Sequence, residues 1–317
     1  MSNKQELHVI FGTGPVGRAI ADELSAQGKA IRMVNRSGRK DIPQQIDVIS
    51  GEAKDHAFAR QAAEGATHVY FALNPAYHLW LQEFPPMQAS VLQAAIDNHA
   101  KLIVMENVYM YGDTHGKPMT EDMPYSAHTR KGKLRAGMHR ELMAAHQAGK
   151  VQVVTGRASD FFGSHVLQSA MGERVFGYAL EGKSPQLLGN PDKRHTQTYM
   201  KDIGKALVML AQADDAYGQA WHIPSPRTVT QKEFVDLIGR ELGTDLKVSI
   251  PPKVIVRMLG MVVKPLGEMV EMLYEFEDDF IVDASKFEAR FGDIATPLEE
   301  AIRDTVAWYR EQQLITA

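Results

Sequence analysis

Between His8 and Ala21 an apolar run, His8 to Phe11, enters Gly12-Thr13-Gly14-Pro15-Val16-Gly17 and leaves as Arg18-Ala19-Ile20-Ala21. Glycines at this spacing let a strand turn tightly into a helix, bring backbone against a pyrophosphate and seat the helix close on the strand. The helix's unpaired N–H groups then face the anion. The chemistry implied is dinucleotide binding, with Gly12, Thr13, Gly14, Pro15, Val16 and Gly17 as the cradle. A second strand, Ala30 to Val34, ends at Asn35, where an NAD site would place an acid on the ribose hydroxyls. Arg36, Ser37, Arg39 and Lys40 follow instead, and cationic donors suit a 2′-phosphate. The expected cofactor is NADP(H) in preference to NAD(H), with Asn35, Arg36, Ser37 and Arg39 at its adenosine end. Ala72, Leu73 and Asn74, at the end of a later strand, complete the cofactor edge.

Other chemistries are excluded by what the chain lacks. The 317 residues contain no cysteine, so disulfides, thiol catalysis and thiolate metal sites are out. There is no H-E-x-x-H and no G-x-S-x-G, so zinc and serine hydrolase mechanisms have no support, and no metal is expected. A net charge of −4 and a pI near 6.3 offer no field for nucleic acid or an anionic membrane. The apolar stretch Met258 to Val263 is far shorter than the ~20 residues a membrane helix needs. The first residues lack the apolar core of a signal peptide. A small-molecule substrate and a cytoplasmic location are the expectations.

The elements that must position these residues follow from periodicity. Strands are expected at Asp47–Ser50, His68–Leu73, Lys101–Met105 and Val151–Thr155, with helices at Asp55–Glu64 and Arg130–Gln147. A helical region broken at Pro85-Pro86 runs up to His99. Strands alternating with helical crossovers imply an α/β fold with a Rossmann-type, doubly wound parallel sheet. Beyond Gly163 helices are expected at Val166–Leu180, Ile203–Gln212 (N-capped by Asp202), Gln231–Glu241, Val254–Tyr274 and Pro297–Tyr309, with a short strand near Gln219–Ile223. The domains expected are 1–163, binding NADP(H), and 164–317, a smaller C-terminal α/β substrate lobe, with segments such as 195–225 returning to the first. The cleft between them is where a ligand is expected. Met258, Met261, Met269 and Met272, with Tyr274, fall at near-helical spacing as core or pocket wall. Glu275, Glu277, Asp278 and Asp279 read as a solvated loop.

Several motifs then carry a resemblance. Val108-Tyr109-Met110-Tyr111-Gly112-Asp113 follows the fifth strand, Pro118-Met119-Thr120-Glu121-Asp122 comes after it, and Gly156-Arg157-Ala158-Ser159-Asp160-Phe161-Phe162-Gly163 ends the sixth strand. Tyr199-Met200-Lys201-Asp202-Ile203 and Asp283-Ala284-Ser285-Lys286-Phe287 close the series. With the glycine turn, their order resembles the extended short-chain dehydrogenase/reductase superfamily, specifically the NAD-dependent epimerase/dehydratase-like proteins and their atypical members. The resemblance implies a serine that polarises a carbonyl, a tyrosine that transfers a proton, and a lysine four residues later. That lysine binds the nicotinamide ribose and tunes the phenol.

Counted back from Tyr111-Gly112, the serine position holds Asn107, whose amide can still donate to a carbonyl. The tyrosine position holds Thr129, a far weaker acid, while Lys133 is retained as the ribose-binding lysine. Three readings stay open. Tyr109, Tyr111 or Tyr125 supplies the proton; or Asp160 does; or proton transfer is lost. The position of the pyrophosphate-binding arginine in nucleotide-sugar relatives reads His195, beside Arg194. His195, one of twelve histidines, reads more simply as a surface side chain. The resemblance implies an NADP(H)-dependent oxidoreductase or epimerase/dehydratase-like enzyme with a degenerate Ser-Tyr-Lys site, acting on a small carbonyl or alcohol. The alternative is a non-catalytic NADP(H)-binding sensor or regulatory protein. It further implies a homodimer through the helices near Leu79–His99 and Arg130–Gln147.

Overall fold

Short runs of consecutive apolar residues, buried on both faces, build the central sheet of this computed structural model, which describes residues 6–38, 41–252 and 270–316. In β1 (Leu7–Phe11), Val9, Ile10 and Phe11 are fully buried, the pattern of a strand covered by helices on both sides. The sheet continues with β2 (Ala30–Asn35), β3 (Asp47–Ser50), β4 (His68–Phe71), β5 (Lys101–Glu106), β6 (Val153–Arg157) and β10 (Ala220–His222). The strand order is β10-β6-β5-β4-β1-β2-β3. β1 pairs in parallel with β2 on one side and β4 on the other, placing Phe11 against Val34 and Phe71. The order therefore reverses at β1, and ligands of such sheets bind beyond the strand ends at that reversal. The glycine turn begins at that point.

The chain divides into two compact units. The first comprises Met1–Glu106, Leu134–Arg157 and Ile203–Trp221, and holds the sheet with α1 (Pro15–Ala26), α2 (His56–Ala62) and α3 (Trp80–Asp97). Asp55 caps α2 by accepting from the N–H groups of Ala57 and Phe58. α3 runs through Pro85 and Pro86 without a break, so the expected interruption does not occur. The prolines leave the carbonyls of Leu81 and Gln82 without their helical donors, and packing of Trp80, Phe84, Met87 and Val91, all buried, carries the helix across.

The second unit comprises Asn107–Lys133, Ala158–Asp202 and His222–Ala317. Helix α4 (Arg130–Gln147) starts in this unit and ends in the first. β7 (Asp160–Phe162) pairs in parallel with β9 (Gln197–Tyr199), and β8 (Arg194–His195) pairs antiparallel with β11 (Val229–Thr230). Phe162, Phe176, Tyr199, Phe234, Ile302 and Tyr309 form its core, with α7 (Gln231–Leu242) and α8 (Leu298–Thr316) laid against it. Thr230 caps α7, accepting from Glu233 N–H at 3.0 Å, and the left-handed Gly243 ends it.

Two expectations fail here. Val166–Leu180 is not one helix. Its first half is turns, followed by a π-helical stretch, Glu173–Gly177, and the single turn α5 (Tyr178–Leu180). Asp202 lies within α6 (Met200–Gln212) instead of capping it, and its carboxylate accepts from the N–H and hydroxyl of Thr296 at 2.9 and 2.7 Å. Of the expected helix Val254–Tyr274, residues 254–269 lie outside the described residues, Met258, Met261 and Met269 among them, as do Arg39 and Lys40. Met272 is buried. Among the described residues no helix is long and apolar enough to cross a membrane.

Candidate active site

The glycine turn has the form a dinucleotide needs. Gly12 sits at φ +119, and a Cβ there would lie 2.5 Å from the Ala72 carbonyl oxygen at the end of β4. A Cβ on Gly17 would lie 2.0 Å from the Gly12 oxygen. Beside Gly14 no atom lies within 4 Å of the same position. The backbone is closed on two sides and open on the third. α1 begins there with Gly14 as its cap, no side-chain cap, Pro15 in its first turn and no acid in that turn. The first-turn N–H groups and the positive end of the helix are left for an anion. These residues fit a nicotinamide dinucleotide.

Asn35 ends β2 as expected and spends its side chain on the turn. Its Nδ2 donates to Thr13 Oγ1 at 2.9 Å and to the Gly38 carbonyl at 2.8 Å, while its Oδ1 accepts from Gly38 N–H at 2.7 Å. Arg36 and Ser37 are exposed beside it. Ala72 and Leu73 are half-buried and Asn74 is exposed beyond β4.

In the second unit, Asn107 and Tyr109 are half-buried, and Asn107 Oδ1 accepts from Tyr109 N–H at 3.3 Å. Tyr111 is buried, with its hydroxyl 2.8 Å from His222 Nε2. The other ring nitrogen of His222 lies 2.9 Å from the Asp283 carbonyl. A carbonyl only accepts, so Nδ1 carries the hydrogen, Nε2 of the neutral ring accepts, and Tyr111 donates. Tyr125 packs edge-on to Tyr111 at 5.9 Å. Thr129 precedes α4, and its hydroxyl accepts from Gly132 N–H at 3.1 Å, which is helix-capping chemistry.

Lys133 is exposed on α4. The buried cations four residues apart on that helix are Lys131 and Arg135, each 1% exposed. Lys131 pairs with Glu271 at 2.8 Å, and Arg135 lies over the Phe84 ring at 4.8 Å. Neither lies on the Tyr-x-x-x-Lys register of Thr129 and Lys133. The signal was the helical stripe 131-135-138-142, in which every residue is buried. A concavity of about 400 Å³ in this unit is lined by Thr129, Arg130, Glu271 and Tyr274 among others.

Two buried carboxylates have opposite surroundings. In the first unit Glu106, at the end of β5, receives Arg157 Nε at 3.0 Å and lies 3.0 Å from His139 Nδ1, with Arg135 at 4.0 Å. Burial by itself raises such a carboxyl, but the charges of His139 and Arg157 outweigh it and hold Glu106 well below the ordinary range. In the second unit Glu275 is 2% exposed, and burial, reinforced by the negative charge of Asp160, pushes its carboxyl well up. The expected solvated acidic loop is therefore corrected. Glu275 is buried, whereas Glu277 and Asp278 are exposed, Asp278 pairs with Lys193 at 2.8 Å and Asp279 with Arg194 at 2.7 Å. The reason is local: Glu275 lies in a 3₁₀ turn between Leu273 and Phe276, both buried.

His195 is likewise not a surface residue. It is 3% exposed, sandwiched between the rings of Phe276 and Phe280 at 5.0 and 4.9 Å. Its Nε2 lies 3.2 Å from Asp160 Oδ2. Elsewhere Glu6, His8 and His68 bring three ligating atoms within 4.8 Å. The two rings stack at 4.7 Å and 7°, so their in-plane lone pairs do not converge, and Glu6 is already paired with Lys29.

Comparison with known proteins places this geometry. A Sinorhizobium fredii protein of uncharacterized function, y4nL, is 26% identical over 134 residues, covering 42% of this chain and only 37% of that protein. The UDP-N-acetylglucosamine 4-epimerase of Methanobrevibacter ruminantium M1, solved with UDP-N-acetylmuramic acid, is 18% identical with a TM-score of 0.78, covering 97% of this chain and 99% of its own. The dTDP-glucose 4,6-dehydratase of Bacillus anthracis, solved with NAD, is 16% identical with a TM-score of 0.78, covering 98% of both chains. WbmH of Bordetella bronchiseptica, solved with NAD+, is 20% identical with a TM-score of 0.74, covering 97% of this chain and 99% of its own. At these identities the likeness is one of fold. The sequence itself goes further, because the pattern matched over residues 9–223, from the first strand through Asp160 to the last strand of the sheet, takes in more than half the chain. By that match, the chain belongs to the NAD dependent epimerase/dehydratase family.

Proposed function

We propose that the protein is an NADP(H)-dependent oxidoreductase or epimerase acting on a small, uncharged carbonyl or alcohol. The observation that carries this reading is the glycine cradle at the uncapped start of α1, with Gly12 and Gly17 too closely approached to bear side chains. Residues Gly12 to Gly17 hold the pyrophosphate. Ala72, Leu73 and Asn74 flank it, and Lys133 holds the nicotinamide ribose. The preference for a 2′-phosphate rests on Asn35, which offers no carboxylate and is engaged by Thr13 and Gly38, and on the exposed Arg36 and Ser37 beside it. When bound, the nicotinamide gives or takes hydride. Asn107 orients the substrate carbonyl, and one of Tyr109, Tyr111 and Asp160 handles the proton.

The relatives solved with nucleotide sugars or their analogues suggest a diphosphate substrate, but this chain's residues argue for something smaller. Arg194 is paired with Asp279, and His195 is walled in by two phenylalanines. The charge of Arg194, though exposed, is already met by Asp279, and His195 is enclosed. In this reading residues 1–163 bind the cofactor and 164–317 the substrate, with 195–225 returning to the first; the protein is a cytoplasmic homodimer. A second reading, a non-catalytic NADP(H) sensor, draws on Thr129, whose hydroxyl is engaged as a helix cap where the family's phenol would stand.

Binding of NADPH and NADH to the purified protein tests the cofactor assignment. NADPH binds at least tenfold more tightly, and Arg36→Asp erases or reverses the preference; equal affinities overturn it. NADPH oxidation across a panel of carbonyl compounds tests the reaction, and a Lys133→Ala variant with undiminished turnover removes that lysine from the mechanism.

A further inference from the structure

Two polar atoms meet in the second unit with their hydrogen-bonding capacity unmet, and a third, on Glu275, feels the charge of one of them. Asp160 Oδ2 and His195 Nε2 approach to 3.2 Å, at ion-pair distance but without hydrogen-bond alignment. Glu275 Oε1 also has no partner. Buried polar atoms without partners cost free energy, so a cluster of them asks for a group that the protein itself does not supply. The three residues are unequally accessible. His195 and Glu275 are enclosed, whereas the Asp160 side chain retains 19% of its exposure. Only Asp160 is open to an incoming ligand. Its backbone is fixed by β7, where it pairs with Gln197 of β9, and His195 is held by a bridge to Phe280 and by the two flanking rings.

We propose that Asp160 is the group that exchanges the proton with the substrate hydroxyl, and that His195, 3.2 Å away, positions it. This deepens the oxidoreductase reading and rests on it. When an alcohol is oxidised, its O–H proton passes to Asp160 Oδ2 as the C–H bond breaks, and an oxidised nicotinamide held by the glycine cradle would be the acceptor of the hydride. The carbon–oxygen bond becomes a carbonyl, and Asp160 then releases the proton to water. Reduction runs the same steps backwards, with Asp160 as the acid. His195 acts on the carboxylate from behind, and its two phenylalanine walls fix its ring plane. Burial pushes the Glu275 carboxyl up, which favours its neutral form beside Asp160. The Tyr111 hydroxyl is engaged in a hydrogen bond to the buried His222, whereas Asp160 Oδ2 is partly exposed and has no hydrogen-bond partner.

The test uses the full-length protein and two readouts. The first needs no turnover. The ¹⁵N resonances of the His195 ring are compared in wild type and Asp160→Asn, and the substitution moves the Nε2 signal, the atom that faces Asp160. An unmoved Nε2 signal overturns the pair. The second is NADPH-dependent turnover over the carbonyl panel. Asp160→Asn lowers kcat by ~100-fold or more, the scale of a lost acid–base group, with NADPH affinity within twofold of wild type. His195→Gln lowers kcat about tenfold with KM unchanged and narrows the pH profile, and the double variant is no slower than Asp160→Asn alone, because His195 works through Asp160. Independent, multiplicative losses overturn the positioning role. Wild type inert on every carbonyl removes the oxidoreductase reading itself. An active enzyme indifferent to Asp160→Asn removes only the proposal made here.

Discussion

Glu106 and Glu275 are both buried carboxylates, one in each unit, and they end in opposite states. Glu106 lies among Arg157, His139 and Arg135 and stays ionised. Burial and the negative charge of Asp160 push the Glu275 carboxyl well up, towards its neutral form. Burial raises both, so the neighbouring charges decide which way each goes. The two clusters also differ in use. Around Glu106 the cations answer the carboxylate and one another's charge is shared, which is how a scaffold is pinned. Both clusters keep an unmet carboxylate oxygen, but Glu106 is fully enclosed, whereas near Glu275 the unmet Asp160 Oδ2 sits on a partly exposed side chain, which is where a ligand is to be sought.

The comparison breaks first at Glu106. Glu106→Gln strips the counter-charge from Arg157 and Arg135 and is expected to lower unfolding free energy by about 3–5 kcal/mol, the cost of an uncompensated buried charge. Urea denaturation measures it, and a loss under about 1 kcal/mol would mean the cage is not structural. Acid sharpens the point. A depressed carboxyl contributes stability above its unfolded value, so the Glu106 term is complete above pH 4.5 and fades as pH falls below that. Wild type loses stability there, and Glu106→Gln, already without the term, has a flatter profile.

His8 adds a second acid-sensitive term. Burial and the adjacent His68 bring it down to about 4 from 6.5, so its neutral form stabilises the fold and the contribution, on the order of 2 kcal/mol, is lost as pH drops from 6.5 towards 4. His8→Gln removes that slope from a thermal-denaturation series. The smallest effect belongs to Glu275. A raised carboxyl costs stability once the unfolded chain ionises, above 4.5. Glu275→Gln is therefore expected to leave stability unchanged below that pH and to raise it by about 1 kcal/mol at neutral pH. A variant destabilised at pH 7 would show that Glu275 is not held neutral.

Much of the first unit was legible because its information is local. Runs such as Val9-Ile10-Phe11 and Leu102-Ile103-Val104 announce buried strands, and glycines at 12, 14 and 17 announce their turn. The segment from Val166 to Leu180 misled because its apolar residues recur at helical spacing, while Ser164, Ser169 and Gly172 favour turns. Asp202 looked like a cap because its partner, Thr296, is 94 residues away. His195 and Glu275 were read as solvated because charge and polarity are the only clues a sequence gives, and enclosure comes from Phe276 and Phe280, distant from His195 in sequence. Thr129 was visible as a departure, but its capping role appeared only with α4 in place.

The Glu106 cage has a thermal consequence. Water solvates ions less favourably as temperature rises, so the penalty for burying Glu106 with its cations shrinks on heating. The cage should therefore hold the sheet's β5 and β6 together relatively better in a warm cell than in a cold one.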